Sequence, residues 1–152
     1  MWRLTDAAHG RFPEGYAELS VELIGTLRAT FGNDGLARLV SARTAAQVVA
    51  YRARMPQGAA SPGRRVAALA KIRAAEGYLA ESARTPDGAW LLVENHCPIC
   101  VAAAACQGLC DGELELFRRV LGDDLVVERS EHLLAGARRC VYRIARRAPR
   151  DA

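Results

Sequence analysis

Between Tyr16 and Phe31 the apolar residues Tyr16, Leu19, Leu23, Leu27 and Phe31 recur at spacings of three and four. That spacing marks one face of an amphipathic helix, and it commits the front of the chain to helical packing. The helix is expected to begin near Glu14. The run "GNDG" at Gly32–Gly35 should break it, with Asn33 or Asp34 able to cap the next helix. A second helix then fits Leu36–Arg54. After the loop "MPQGAASPG", a third fits Arg64–Glu76, with Val66, Leu69 and Ile72 on one face and Gly77 ending it.

Past Gly77 the pattern changes. "YLAESART" and "AWLLVEN" flank the turn sequence "PDG". This predicts a β-hairpin of Tyr78–Arg84 with Ala89–Glu94. The stretch from Cys97 to Cys110 follows and is expected to turn helical. "DGELELFRRVLG" predicts a further helix with Leu114, Phe117 and Leu121 on one side. "DLVVERSEHL" and "RRCVYRIAR" predict strands joined at "AGA", and "WRLT" (Trp2–Thr5) a short strand at the front. The fold class that results is α+β: long helices first, then a module built on an antiparallel sheet.

At 152 residues, 51% of them hydrophobic, the chain can bury the core of one domain, or of a small domain with an appended helical segment. The net charge is +4, and Arg supplies 20 of the 21 basic residues. That excess permits nucleic-acid contact without demanding it, and the short basic runs read as solvated faces. The first residues lack the charged and apolar regions of a secretory signal. No apolar run reaches the roughly 18 residues of a membrane span. A cytoplasmic protein with reduced thiols is expected, so its cysteines read as metal-binding or catalytic before disulfide-forming. An odd total of five cysteines points the same way.

Four of those five lie within 14 positions, in "CPICVAAAACQGLC". Cys97 and Cys100 form a C-x-x-C with a proline inside, a spacing at which two thiolates can hold one metal from a tight turn. Cys106 and Cys110, four apart, would share a face of a continuous helix, although Gly108 allows a bend. Cys140 arrives from the last expected strand. Thiols from three regions of sequence therefore point to one site, of the kind a soft metal or an iron–sulfur cluster requires. The plain alternative is that Cys106 and Cys140 pack as small apolar residues. His132 and His96 can also ligate; His96 reads better as a surface residue, and His9 lies in an expected loop. No nucleophile–base–acid arrangement, zinc-protease motif or phosphate loop is present, so an enzyme is not expected.

"NHCPIC", "CQGLC", "EL.LF" and "RSEHLLAGARRCVYRI" together resemble the C-terminal effector domain of SufR-like and DeoR/ArsR-type winged-helix transcriptional regulators. Such proteins carry an N-C-P segment, a second Cys about a dozen residues on, an E-L-x-L-F helix and a closing G-x-x-x-C-x-Y/F-x-I strand. Here these are Cys97-Pro98, Cys110, Glu113–Phe117 and Gly136–Ile144. The ending is also similar to small-molecule sensor domains of the 4-vinyl reductase type. At the front, Trp2–Thr5, Phe12-Pro13 and the long helix are similar to the end of a wing and a dimerisation helix.

The resemblance implies a division into residues 1–13 (wing remnant and linker), 14–76 (helical linker and dimerisation), 77–147 (Cys-rich sensor module) and a tail, 148–152. It implies a homodimer through the long helices. DNA would be bound only by a winged helix that this chain does not contain. It further implies an iron–sulfur cluster, of the 4Fe–4S kind, that controls DNA binding by the full regulator. Cys97, Cys110 and Cys140 match the family's ligands. His132 stands where many members have a Cys. Cys100, Cys106 and His132 compete for the fourth place, and all-thiolate ligation favours a local Cys, giving Cys97, Cys100, Cys110 and Cys140 as the expected set. The alternatives are structural zinc, or an apolar-ligand domain without a cluster.

Overall fold

The computed structural model describes residues 15–148; the expected strand Trp2–Thr5, the Phe12-Pro13 segment, His9 and the end of the tail lie outside them. The described chain is α+β. Helix α1 (Gly15–Arg54) and α2 (Pro62–Ala75) come first. Strands β1 (Ala80–Arg84) and β2 (Trp90–Glu94), helices α3 (Cys100–Ala105) and α4 (Gly108–Leu121), and strands β3 (Leu125–Glu131) and β4 (Cys140–Arg146) follow. The four strands form one antiparallel sheet in the order β1-β2-β4-β3.

The break expected at Gly32–Gly35 is a single-residue kink. Gly32 adopts φ 71°, ψ −179°, a conformation open to glycine, and the helix resumes at once on either side. The kink divides α1 into two unlike halves. In the second, Val48, Tyr51 and Met55 enter the main core. In the first, Ile24 and Leu27 pack against a small cluster of Leu36, Val40 and Cys106. The rest of the expected apolar face is uncovered: Tyr16 is 85% exposed, Leu23 54% and Phe31 65%.

Helix α2 starts two residues before the expected Arg64. Ser61 caps it, its Oγ accepting from the Arg64 N–H at 3.4 Å, and Pro62 occupies the first turn, where a missing N–H is harmless. The hairpin turn is Thr85–Gly88, with Pro86 second and Gly88 at φ +85° closing it. The Thr85 N–H donates to the Ala89 carbonyl at 2.9 Å. This is the geometry that "TPDG" favours.

The Cys-rich stretch is helical, as expected, but in two pieces. α3 ends at Cys106, which is extended (φ −146°, ψ 91°), and α4 then begins at Gly108. Cys106 and Cys110 consequently do not share a helix face. The break falls two residues before the residue expected to bend.

Helices α2 and α4 cover one face of the sheet, and the second half of α1 packs on those helices, adding Val48, Tyr51 and Met55 to the same core. Phe117 of α4 meets Tyr142 of β4 edge-on, ring centroids 4.9 Å apart. Leu69, Leu92, Leu116, Leu121 and Ile144 are fully buried around them. Each such side chain contributes about 1.5–3 kcal/mol of burial free energy. Where α1 crosses α4 the backbones nearly touch. A Cβ on Gly112 would lie 2.6 Å from Thr44 Oγ1, so glycine is what permits this close crossing.

Candidate functional site

The helix-facing side of the sheet ends in a charged cluster that the sequence reading missed. Arg73 of α2 has no exposed side-chain surface, and Glu94 and Glu113 are each 3% exposed. Arg73 Nε donates to Glu94 Oε1 at 2.6 Å, and its Nη2 to Glu113 Oε1 at 2.9 Å. Tyr78 donates its hydroxyl to Glu113 Oε1 at 2.6 Å, and Arg73 Nη1 donates to the Tyr51 hydroxyl at 3.3 Å. The guanidinium also lies over the rings of Tyr78 and Phe117.

Burial works against the charge on Arg73, but the two carboxylates outweigh it and hold the guanidinium firmly protonated. Burial raises Glu94 above the usual carboxylate range despite Arg73, and pushes the Tyr51 hydroxyl up to about 12.

A signal for this cluster was present in the sequence. Arg73 continues the stripe of Val66 and Leu69 at helical spacing, and Glu113 stands one turn ahead of Leu116, Phe117 and Val120. A charge on an apolar stripe is either an error or a buried partner.

This cluster ties together the segments that carry the cysteines. Glu94 precedes Cys97 by three residues, Glu113 follows Cys110 by three, and Glu94 pairs directly with Cys140 across β2 and β4. All five cysteines are free thiols; Cys106, Cys110 and Cys140 are buried, Cys97 and Cys100 half-buried. Burial pushes the Cys97 thiol up to about 12, and negative charge on Glu113, Cys100 and Cys140 adds to the shift. It pushes Cys110 up to about 11, with Glu113 and Cys140 again adding. Cys140 is raised by burial too, partly offset by the Leu133 N–H that donates to its Sγ at 3.4 Å. Negative charge on Glu113 and on Cys140 thus raises both Cys97 and Cys110. Cys100 opens α3 beside Cys97, its N–H donating to the Cys97 carbonyl at 3.2 Å. Cys106 sits apart, packed with Leu36 and Val40 against α1. His96 is exposed.

His132 lies at the same end as Cys140. Burial, then the Arg129 guanidinium, lower its pKa, so the ring is neutral at pH 7. Among the described residues three buried side-chain nitrogen or oxygen atoms lack a hydrogen-bond partner: Arg65 Nε, Arg129 Nε and His132 Nε2. Arg129 packs over the Tyr142 ring and donates to the Cys110 carbonyl, so two of these three atoms are at the thiol end. Among the described residues no three His, Cys, Asp or Glu side chains already stand as a group that could hold a metal ion. The donor types are nevertheless those a soft metal takes: reduced thiols from three segments and a neutral imidazole with a buried, unpaired nitrogen.

A separate groove of about 590 Å³ runs between α1 and α4, lined by Leu36, Val40, Thr44, Cys106, Gly112 and Arg119 among others. Among the described residues no helix is long and apolar enough to cross a membrane. No protein-family model, no curated protein and no solved structure matches the chain.

Proposed function

We propose that this chain is the sensor part of a SufR-like winged-helix transcriptional regulator, and that its thiol end holds an iron–sulfur cluster of the 4Fe–4S kind. The observation that carries this reading is the convergence of Cys97, Cys110 and Cys140. They come from a loop, a helix and a strand, and charge on Cys140 reaches both Cys97 and Cys110. These three would hold the group, with a fourth donor beside them. When bound, a cluster supplies a redox- and oxygen-sensitive tie between the three segments.

The chain's own residues supply the rest. Arg73, held by Glu94 and Glu113, fixes the roots of the Cys97 loop and of α4. The Cys97–Cys106 segment has little of its own to fix it: α3 is six residues long and has no side-chain cap. It rests against the first half of α1, where Arg28 donates to the Ala105 carbonyl at 2.9 Å. Ligand release would loosen that segment and with it the first half of α1. In a longer polypeptide that change would reach a DNA-binding winged helix. The uncovered row of Tyr16, Leu19, Leu23 and Phe31 supports a homodimer through α1. Light scattering would find a dimer for the native chain and a monomer for Leu23→Glu/Phe31→Glu.

A thiol enzyme is disfavoured, because a nucleophilic cysteine needs a lowered pKa and Cys97 is raised to about 12. The second reading is a small-ligand domain, favoured by the α1–α4 groove; a structural zinc site is the remaining alternative. Anaerobic purification with iron, sulfide and zinc analysis separates them. We expect brown protein with iron and acid-labile sulfide. Zinc in stoichiometric amount would replace the cluster reading. Neither metal, even after reconstitution, would leave the groove as the better site.

A further inference from the structure

The loop that carries the first two cysteines is a defined turn. The Cys100 N–H donates to the Cys97 carbonyl at 3.2 Å, closing Cys97-Pro98-Ile99-Cys100 into a β-turn. Pro98 takes the second position, where its fixed φ suits the turn. Ile99 takes the third at φ −103°, ψ 11°, close to the angles of a type I turn. Such a turn keeps its first and last Cα atoms within about 7 Å of each other. A disulfide joins Cα atoms about 4.4–6.8 Å apart. The backbone therefore already holds Cys97 and Cys100 at the span of a disulfide.

The other cysteines stand differently. Cys106 is packed with Leu36 and Val40, Cys110 lies within α4, and Cys140 is buried on β4. Cys97 and Cys100 are only half-buried, and Pro98 between them is exposed, so a small reagent can reach this pair. The turn also adjoins the front of α1. Pro98, Ile99, Val101 and Ala102 line one crevice with Tyr16, Ala17 and Ser20.

We propose that Cys97 and Cys100 form a reversible disulfide, a switch that reads the balance of small thiols and disulfides and sets how firmly the start of α3 is held beside the first half of α1. The oxidant is a small disulfide such as glutathione disulfide. One protein thiolate attacks it, forming a mixed disulfide and releasing one glutathione. The other protein thiolate attacks the first protein sulfur, which closes the ring and releases the second glutathione. The protein loses two electrons and two protons, and both leave with the two glutathione thiols. Excess thiol reverses each step. The inference goes beyond the cluster reading and does not rest on it, since it needs only these two thiols.

The test takes the full chain, freed of metal by a chelator and equilibrated without oxygen in glutathione buffers of rising disulfide content. Samples are quenched in acid, unfolded and alkylated, so that burial does not hide a thiol. Mass spectrometry should show the five free thiols losing two together in a single step, and peptide mapping should place the bond between Cys97 and Cys100. Hydrogen exchange across Cys100–Ala105 and the first half of α1 should be several-fold slower in the oxidised form. A bond to Cys106, Cys110 or Cys140, a mixed disulfide that never closes, or five thiols remaining at the highest disulfide content overturns the pairing. Equal exchange in the two forms overturns the switch. Every one of these readings uses the native sequence, so none depends on a variant folding. Iron binding is read separately: brown protein whose metal-free form makes no such bond keeps the cluster reading alone, and the bond in a protein that binds no iron keeps the switch alone.

Discussion

Two neighbouring regions at the same end of the sheet have met the problem of buried polarity in opposite ways. Around Arg73 each charge has a partner: two carboxylates share one guanidinium, and Tyr78 and Tyr51 complete the shell. Around Cys140 the groups are buried but not joined. Three thiols are held neutral by burial, His132 Nε2 has no partner, and the short helix bearing Cys100 has no side-chain cap. The first region is complete as the chain folds. The second holds neutral thiols and an imidazole nitrogen that the described residues leave without a hydrogen-bond partner. The contrast separates polar groups that the fold joins from polar groups that it only buries.

The sharpest way to break the comparison is to remove Arg73. Arg73→Met leaves Glu94 and Glu113 buried without their cation and should lower stability by about 3–5 kcal/mol, read from urea unfolding. Replacing both glutamates by leucine in the same variant should recover much of that loss. If Arg73→Met costs under about 1 kcal/mol, the cluster is not the closed structure described.

The thiol end should respond to metal instead. With the metal at about one hundred times its dissociation constant, stability should rise by about 2.7 kcal/mol, and a chelator should remove the gain. Cys140→Ser should cost the metal-free protein only about 1 kcal/mol but abolish the gain.

Protonation gives a smaller effect. Cys97 and Cys110 titrate higher in the folded chain, at about 12 and about 11, than the ordinary thiol value of 9.0. The folded state therefore holds more protons between those values, and stability falls as pH rises through that window. Below pH 9 the contribution is fully present. Alkylation of the metal-free protein at about pH 8 should label Cys97 and Cys110 slowly, as mass spectrometry would show. Rapid labelling there would mean their burial is not as described.

The smallest effect is expected at the pair of Arg65 and Asp124, where the guanidinium is largely covered but the carboxylate side chain is 56% exposed. The Arg65 hydrogen bond holds the Asp124 carboxyl below its usual range, so its contribution is lost as pH falls through that lowered value. Solvent screening limits it, and Asp124→Asn should cost under about 1 kcal/mol in thermal unfolding. The same chemical pairing, Arg with a carboxylate, thus spans the range from largest to smallest with its burial and the number of its partners.

Sequence periodicity determined which segments are helix and which strand, because local spacing decides which face a side chain takes. It placed the hairpin turn at "PDG", since proline and glycine restrict or permit particular backbone angles whatever surrounds them. It also offered all five cysteines and His132 as metal donors by residue type, with Cys97, Cys100, Cys110 and Cys140 as the expected set. Tertiary structure decided how they are used. It broke the helix at Cys106, taking that thiol into the apolar contact with α1. It left the apolar row of the first half of α1 exposed among the described residues. It buried Arg73 between two glutamates separated by 19 residues in sequence, numbers 94 and 113. It inserted Ser130 into β3, so that His132 and not Glu131 comes level with Cys140. Each of these depends on what lies across from a residue in space. Periodicity along the chain carries the face of an element, but neither its partner nor its register.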